Sequence, residues 1–229
     1  MKEDVSERAK IFVKENKKLL IERFAGLDKF PSKENPFSIF MAGSPGAGKT
    51  EFSKAMVDLL LDTVRIDPDD IREMLPKYDG GNSFLFQGAS SLGVEKIYDS
   101  VLKNKQNVIL DGTLANYSAS LRNIERSLAK NRKIGIFYVY QDPFIAWEFT
   151  KKREIVEGRK IPKDSFVKSF FISRENVNKF KKKFGEKVDI FVVEKNFENG
   201  IKNVFSNVQD IDKKIKMKYS FKSLNDKLC

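Results

Sequence analysis

Residues 37–50 read FSIFMAGSPGAGKT, and this stretch decides the fold. Phe37 to Ala42 is a short apolar run of the kind that forms a buried strand. Gly43-Ser44-Pro45-Gly46-Ala47-Gly48-Lys49-Thr50 then matches G-x-x-x-x-G-K-[ST] at every position. From Thr50 to Leu61 the pattern is helical. Strand, glycine-rich loop and helix are the context that makes this motif a phosphate-binding loop. The glycines let the backbone curl so that successive N–H groups face phosphate oxygens. The helix that follows points its positive end at the same place. The ligands implied are ATP and Mg²⁺. Lys49 would span the β- and γ-phosphates, and Thr50 would hold the metal through its hydroxyl. Residues 43–50 and the adjoining Glu51 are therefore the candidate nucleotide-binding residues, and Lys49 is also a catalytic candidate.

Working outward, strands alternate with helices. Further strands are expected at Thr63 to Ile66, Asn107 to Leu110, Lys133 to Tyr140 and Val188 to Val193. Helices are expected at Asp69 to Leu75, Gly88 to Lys105, Tyr117 to Asn131, Pro143 to Glu157 and Lys163 to Phe184. Asp142-Pro143 is a helix start, an Asp cap followed by Pro where its missing N–H costs nothing. Such alternation gives an α/β fold, a three-layer α/β/α P-loop architecture around a mostly parallel, five-stranded sheet. Residues 1–36 form a helical extension, 37–195 the P-loop domain, and 196–229 a basic C-terminal extension packed on or trailing from that domain, its lysine-rich tail from Asp210 to Cys229 either helical or frayed. The N-terminal helix has two possible roles: covering one face of the core, or lying over the nucleotide cleft as a built-in restraint.

Composition narrows the chemistry. The 229 residues are 41% hydrophobic and 33% charged, so a real core is expected rather than disorder. There is no histidine, which excludes His-based dyads and most zinc sites. The only cysteine is Cys229, so no internal disulfide can form, as in proteins of a reducing compartment. No apolar run is long enough to span a membrane, and a cytoplasmic protein is expected. The net charge is +11, concentrated in residues 151–229, which hold 21 basic and 11 acidic side chains. Such a field suits an anionic partner, whether a nucleotide, a phosphorylated metabolite or nucleic acid; a solvated lysine-rich surface is the plainer alternative.

No N-K-x-D motif for reading guanine occurs, and no L-S-G-G-Q transporter motif. The strand Val108-Ile109-Leu110 ends in a single acid, Asp111, followed by Gly112. A kinase of small molecules or nucleic acids remains. Ligands of open parallel sheets sit outside the carboxyl ends of the strands. Two acidic groups fall there, Asp67-Pro68-Asp69-Asp70 and Asp111. Asp69 is the candidate catalytic base for the attacking hydroxyl. Asp67, Asp111, Thr113 and Asn116 are candidates for the substrate side, with Asp67 and Asp111 also open to the metal shell. Helix capping is the competing role for Asp67, Asp69 and Asp70. Arg153 and Arg159, the latter in a loop bracketed by Gly158 and Pro162, are catalytic candidates for offsetting phosphate charge; surface arginines are the alternative.

Taken together, GSPGAGKT, IDPDDIR, VILDGT and KREIVEGRKIP resemble, in order and spacing, the zeta toxin family over about residues 37–195. The resemblance implies a P-loop kinase that uses ATP to phosphorylate the 3′-hydroxyl of the amino sugar in UDP-N-acetylglucosamine and is restrained by an antitoxin. It implies Lys49 and Thr50 as the Walker residues, Asp69 as base, Asp111 and Thr113 on the substrate, and Arg153 and Arg159 at the phosphates. Two positions depart from the family pattern. Asp111 is one methylene shorter than the usual glutamate, and Ala115 stands where well-studied members carry an arginine. The second departure leaves kinase chemistry intact and the acceptor open. A nucleic-acid kinase and a non-catalytic ATP-binding regulator are the competing functions.

Overall fold

The computed structural model describes residues 2–196, 198 and 200–228. Six strands form one sheet: β1 (Phe37–Ala42), β2 (Thr63–Ile66), β3 (Asn107–Leu110), β4 (Lys133–Tyr140), β5 (Asp189–Lys195) and β6 (Ile201–Phe205), in the order β2-β3-β1-β4-β5-β6. The first five run parallel, as the alternating pattern predicts. The sixth corrects the expected count of five. It pairs antiparallel with β5, setting Val193 opposite Val204, with an irregularity at Glu194/Lys195. This edge strand is almost wholly exposed, so it needs no apolar run and leaves none in the sequence.

The crossovers decide which helices cover which face. Between β1 and β2 runs α3 (Lys49–Leu59), the one connection that moves leftward along the sheet. The next three move rightward and carry α5 (Gln87–Lys103), α6 (Tyr117–Leu128), and the pair α7 (Pro143–Glu157) and α8 (Lys163–Phe184). Right-handed crossovers must then put α3 on one face and the others opposite. The packing agrees. Phe40 and Ala42 of β1 join a large cluster with Tyr98, Ile124, Phe166 and Phe170. Their neighbours Ile39 and Met41 join a small one with Phe52, Met56 and Val57 of α3. Phe137 and Phe191, stacked 4.4 Å apart, pack at its margin.

At the N-terminus, one expected helix is two: α1 (Lys2–Glu15) and α2 (Lys17–Ala25). They break at Asn16, whose side-chain amide donates to the Phe12 carbonyl at 2.9 Å. Ala9, Val13, Leu20 and Ala25 are buried in the large cluster. Gln106 ties the segment down by donating to the carbonyls of Ala25 (2.9 Å) and Phe30 (2.6 Å). No residue of α1 or α2 lines the cavity described below. At the other end, Val208, Ile211, Ile215 and Leu224 are buried, and a Ser220 capping box opens α9 (Phe221–Lys227). Arg174 of α8 grips Asp212 at 2.6 Å. Cys229 lies outside the described residues. No helix among the described residues is long and apolar enough to cross a membrane.

Candidate active site

The loop after β1 curls because its glycines take positive φ: 133° at Gly43, 70° at Gly46 and 83° at Gly48. Space forbids side chains as well. A Cβ at Gly43 would meet the Val139 carbonyl oxygen at 2.3 Å, and one at Gly46 that of Ala146 at 2.0 Å. Gly43 N–H donates to Ser173 Oγ at 2.7 Å, and Ser173 donates to the Thr113 carbonyl at 2.5 Å. So α8 and the chain after β3 hold the base of the loop. Lys49 opens α3 and folds back to donate from Nζ to the Ser44 carbonyl at 2.7 Å. Burial pushes its amine down to about 8; Asp111 and Asp67 pull it up, and Arg153 and Arg159 add to the lowering.

Above the loop lies a cavity of about 420 Å³. Pro45, Gly46, Gly48, Lys49, Thr50 and Glu51 line it from the β1 side. Asp67 and Asp69 line it from the end of β2, and Asp111 and Thr113 from the end of β3. Arg153 and Arg159 complete it from α7 and the loop beyond. The other nucleotide-loop candidates, Gly43, Ser44 and Ala47, are not among the lining residues: Ala47 is buried in the small cluster, and Ser44 serves through its carbonyl. Asn116 is the one substrate-side candidate outside the cavity. It caps α6, its Oδ1 accepting from Ala119 N–H at 3.1 Å.

Asp67 caps α4 (Pro68–Arg72), its Oδ1 accepting from Asp69 N–H at 2.9 Å. Sequence patterning does not reveal the hub of this corner, Arg65 of β2. Its guanidinium pairs with Asp67, with Asp70 at 2.7 Å and with Asp111 at 2.9 Å. Ser53 of α3 donates to the same Asp111 Oδ2 at 2.6 Å. Three carboxylates around one guanidinium leave excess negative charge. Burial, reinforced by Asp111 and Asp69, pushes the Asp67 carboxyl up to about 7 against the pull of Arg65.

Asp69 is also ion-paired twice, through Oδ1 to Arg72 and through Oδ2 to Arg159. Arg153 lies along α7 with Glu157, Nη2 to Oε2 being 2.9 Å. Helix α7 ends at Gly158, φ 69°. There the chain abuts the turn after α4: a Cβ at Gly80 would meet the Glu157 carbonyl oxygen at 2.4 Å. The roof segment carries exposed apolar groups, Ile155 at 85% and Val156 at 84%. Arg72, Gln87, Phe149, Lys152 and Val156 also line the cavity and are not singled out by motif.

A cradle of backbone N–H groups, a buried lysine and two arginines fit a triphosphate. Among the described residues, no three or more Asp, Glu, His or Cys side chains are arranged to hold a metal by themselves. A magnesium ion that arrives on phosphate oxygens and needs only one or two protein ligands fits the Thr50 hydroxyl and the carboxylates nearby.

The fold has solved counterparts. A chain of the PezAT chromosomal toxin-antitoxin system of the human pathogen Streptococcus pneumoniae superposes with a TM-score of 0.64 at 15% identity, covering 97% of this chain and 87% of its own length. AvrRxo1-ORF1:-ORF2 with ATP gives 0.60 at 11% identity, covering 87% and 65%. The Pnkp1/Rnl/Hen1 RNA repair complex gives 0.53 at 20% identity, covering 79% of this chain and 51% of that one. No curated protein matches the sequence. The family model described as Zeta toxin matches residues 22–209, which takes in every cavity residue named above. The chain belongs to the zeta toxin family of ATP-dependent kinases.

Proposed function

We propose that this kinase moves the γ-phosphoryl group of Mg-ATP to a hydroxyl of a small anionic acceptor, with UDP-N-acetylglucosamine as the first candidate. One observation carries this reading: Lys49 and Asp69 face a single cavity from the ends of β1 and β2, which are separated in the sheet only by β3. A phosphate held at the β1 loop and an alcohol held near α4 would meet between them.

Each residue then has a task. The loop N–H groups and Lys49 hold the phosphates, with Thr50 on the metal and Glu51 beside it. Asp69 accepts the proton of the attacking hydroxyl. Arg153 and Arg159 offset charge that grows on the transferring group. Thr113 and the carboxylates of Asp67 and Asp111 orient the acceptor. Mg²⁺, which the Thr50 hydroxyl and a nearby carboxylate would hold, would supply neutralisation of phosphate charge. We place these tasks in residues 37–195 and assign the flanking segments to packing. Ala115 leaves the acceptor side without the arginine of well-studied members, so the nucleotide sugar is tested beside other acceptors. A protein antitoxin is the partner that family membership favours. The aromatic side chains Phe166, Phe170 and Phe180 are buried, so the aromatic stripe of α8 is core and not a stacking platform for nucleic acid.

The test is transfer from labelled ATP, with Mg²⁺, to UDP-N-acetylglucosamine and in parallel to a metabolite extract. A product heavier by one phosphoryl group, absent with Lys49→Ala, is expected. A product from the extract alone replaces the sugar nucleotide and keeps the kinase. No ATP consumption in either mixture defeats the proposal.

A further inference from the structure

The two arginines on Asp69 are not equivalent. Arg159 comes from the loop after α7 and is partly exposed. Arg72 is 4% exposed and sits one turn along α4 from Asp69. Its Nη1 pairs with Asp69 Oδ1, and its Nη2 donates to Gln87 Oε1 at 2.5 Å. Its Nε has no hydrogen-bond partner among the described residues.

Helix α4 has five residues, too few to hold its own orientation. It is held by α5, a helix of 17 residues rooted in the core. The two are in close contact, since a Cβ at Gly93 of α5 would lie 2.8 Å from Ile71 Cγ2. Gln87, the first residue of α5, carries that support to the cavity wall. A chain of contacts thus runs from α5 through Gln87 and Arg72 to Asp69. Ordinary i,i+3 pairs on a helix surface are solvated and weak. In this one the guanidinium is buried and the carboxylate half-buried, both line the cavity, and the arginine is tied at its far end.

We infer that Arg72, held by Gln87, is the positioning residue of Asp69: it fixes the carboxylate that receives the acceptor's proton, while Arg159 is the partner that can leave. This rests on Asp69 being the base. Misplacement of a reacting group by about 1 Å costs about 100-fold in rate, so the effect belongs in kcat.

The experiment measures ADP formation from Mg-ATP with UDP-N-acetylglucosamine, and with the metabolite extract if that supplies the acceptor, for Arg72→Gln, Arg72→Lys, Gln87→Leu and Asp69→Asn. Expected for Arg72→Gln is a kcat lowered about 30- to 100-fold with the KM for ATP unchanged within about twofold. Arg72→Lys recovers part of it. Gln87→Leu lowers kcat about threefold to tenfold and adds nothing on top of Arg72→Gln. A wild-type kcat in Arg72→Gln, with Asp69→Asn inactive, overturns the inference and leaves the base in place. Loss of ATP binding or of melting temperature in proportion to kcat also overturns it, since that is what a packing role produces. An active Asp69→Asn instead removes the base assignment itself.

Discussion

Arg65 of β2 holds Asp111, the residue after β3, by two nitrogens, Nη2 at 2.9 Å and Nε at 3.2 Å, on the same Oδ2. The two residues lie near the carboxyl ends of neighbouring strands; Asp111 N–H also donates to the Ile66 carbonyl at 2.9 Å. The pair therefore fastens the Asp67 and Asp111 side of the cavity to the sheet. With Oδ2 shared between Arg65 and Ser53, Oδ1 is the atom of Asp111 left for a ligand, since no hydrogen bond reaches it among the described residues.

Removing the guanidinium strands two buried carboxylates. Arg65→Met is expected to cost about 3–5 kcal/mol of folding stability. Denaturant unfolding measures it. Adding Asp111→Asn to Arg65→Met should return part of the loss, because one uncompensated charge goes with it. A midpoint equal to wild type in Arg65→Met would mean that water already solvates these carboxylates.

Lys49 gives ATP binding a pH dependence. Its amine sits at about 8, and a bound triphosphate favours the charged form and raises that value. Between the two values binding takes up a proton, so affinity falls as pH rises past about 8. The groups facing the amine are Asp111 and Asp67, which pull its value up, and Arg153 and Arg159, which lower it. Calorimetry in buffers of different ionisation enthalpy should show uptake approaching one proton at pH 9, about one unit above the amine's value. Lys49→Met should bind ATP weakly and lose that uptake at pH 9.

Arg159 joins the roof to α4 through Asp69, and the roof carries basic residues at 159 and 160 that trypsin cleaves after. Breaking that ion pair with Asp69→Asn should speed cleavage there several-fold. Saturation with a non-hydrolysable ATP analogue should slow it, because the phosphates give Arg159 a new partner. Equal cleavage rates in all three states would mean that the loop is held by its backbone contact with Gly80 alone.

Much of this arrangement is legible in the sequence because its signals are local. The P-loop spacing, the Asp142-Pro143 helix start and the apolar runs of β1 to β5 each depend on neighbours a few residues away. Asp67 as a helix cap is of the same kind. What is not legible depends on register. Arg65 is an ordinary strand residue until the sheet places it beside Ile109, two residues before Asp111. Arg72 and Gln87 lie 15 positions apart and meet only because α5 doubles back under α4. Asn116 follows an expected site threonine, yet its side chain goes to a helix start. Strand β6 is an exposed edge whose apolar residues, Ile201, Val204 and Phe205, do not alternate with period two.

Asp67 makes stability fall as pH rises. Its carboxyl sits at about 7 in the fold against 3.8 in the unfolded chain. Between those values the native state holds a proton that the unfolded state has lost, so the stability contribution present below 3.8 is gone above 7. Asp67→Asn removes this dependence and keeps an acceptor for Asp69 N–H, since an Asn cap works as well as Asp. Urea unfolding at pH 5 and pH 8 should show the variant gaining on wild type at the higher pH, whatever it loses by giving up the charge on Arg65. A gap between the two proteins that is the same at both pH values would show that Asp67 is already ionised at pH 5, and that Arg65 outweighs burial and the neighbouring carboxylates together.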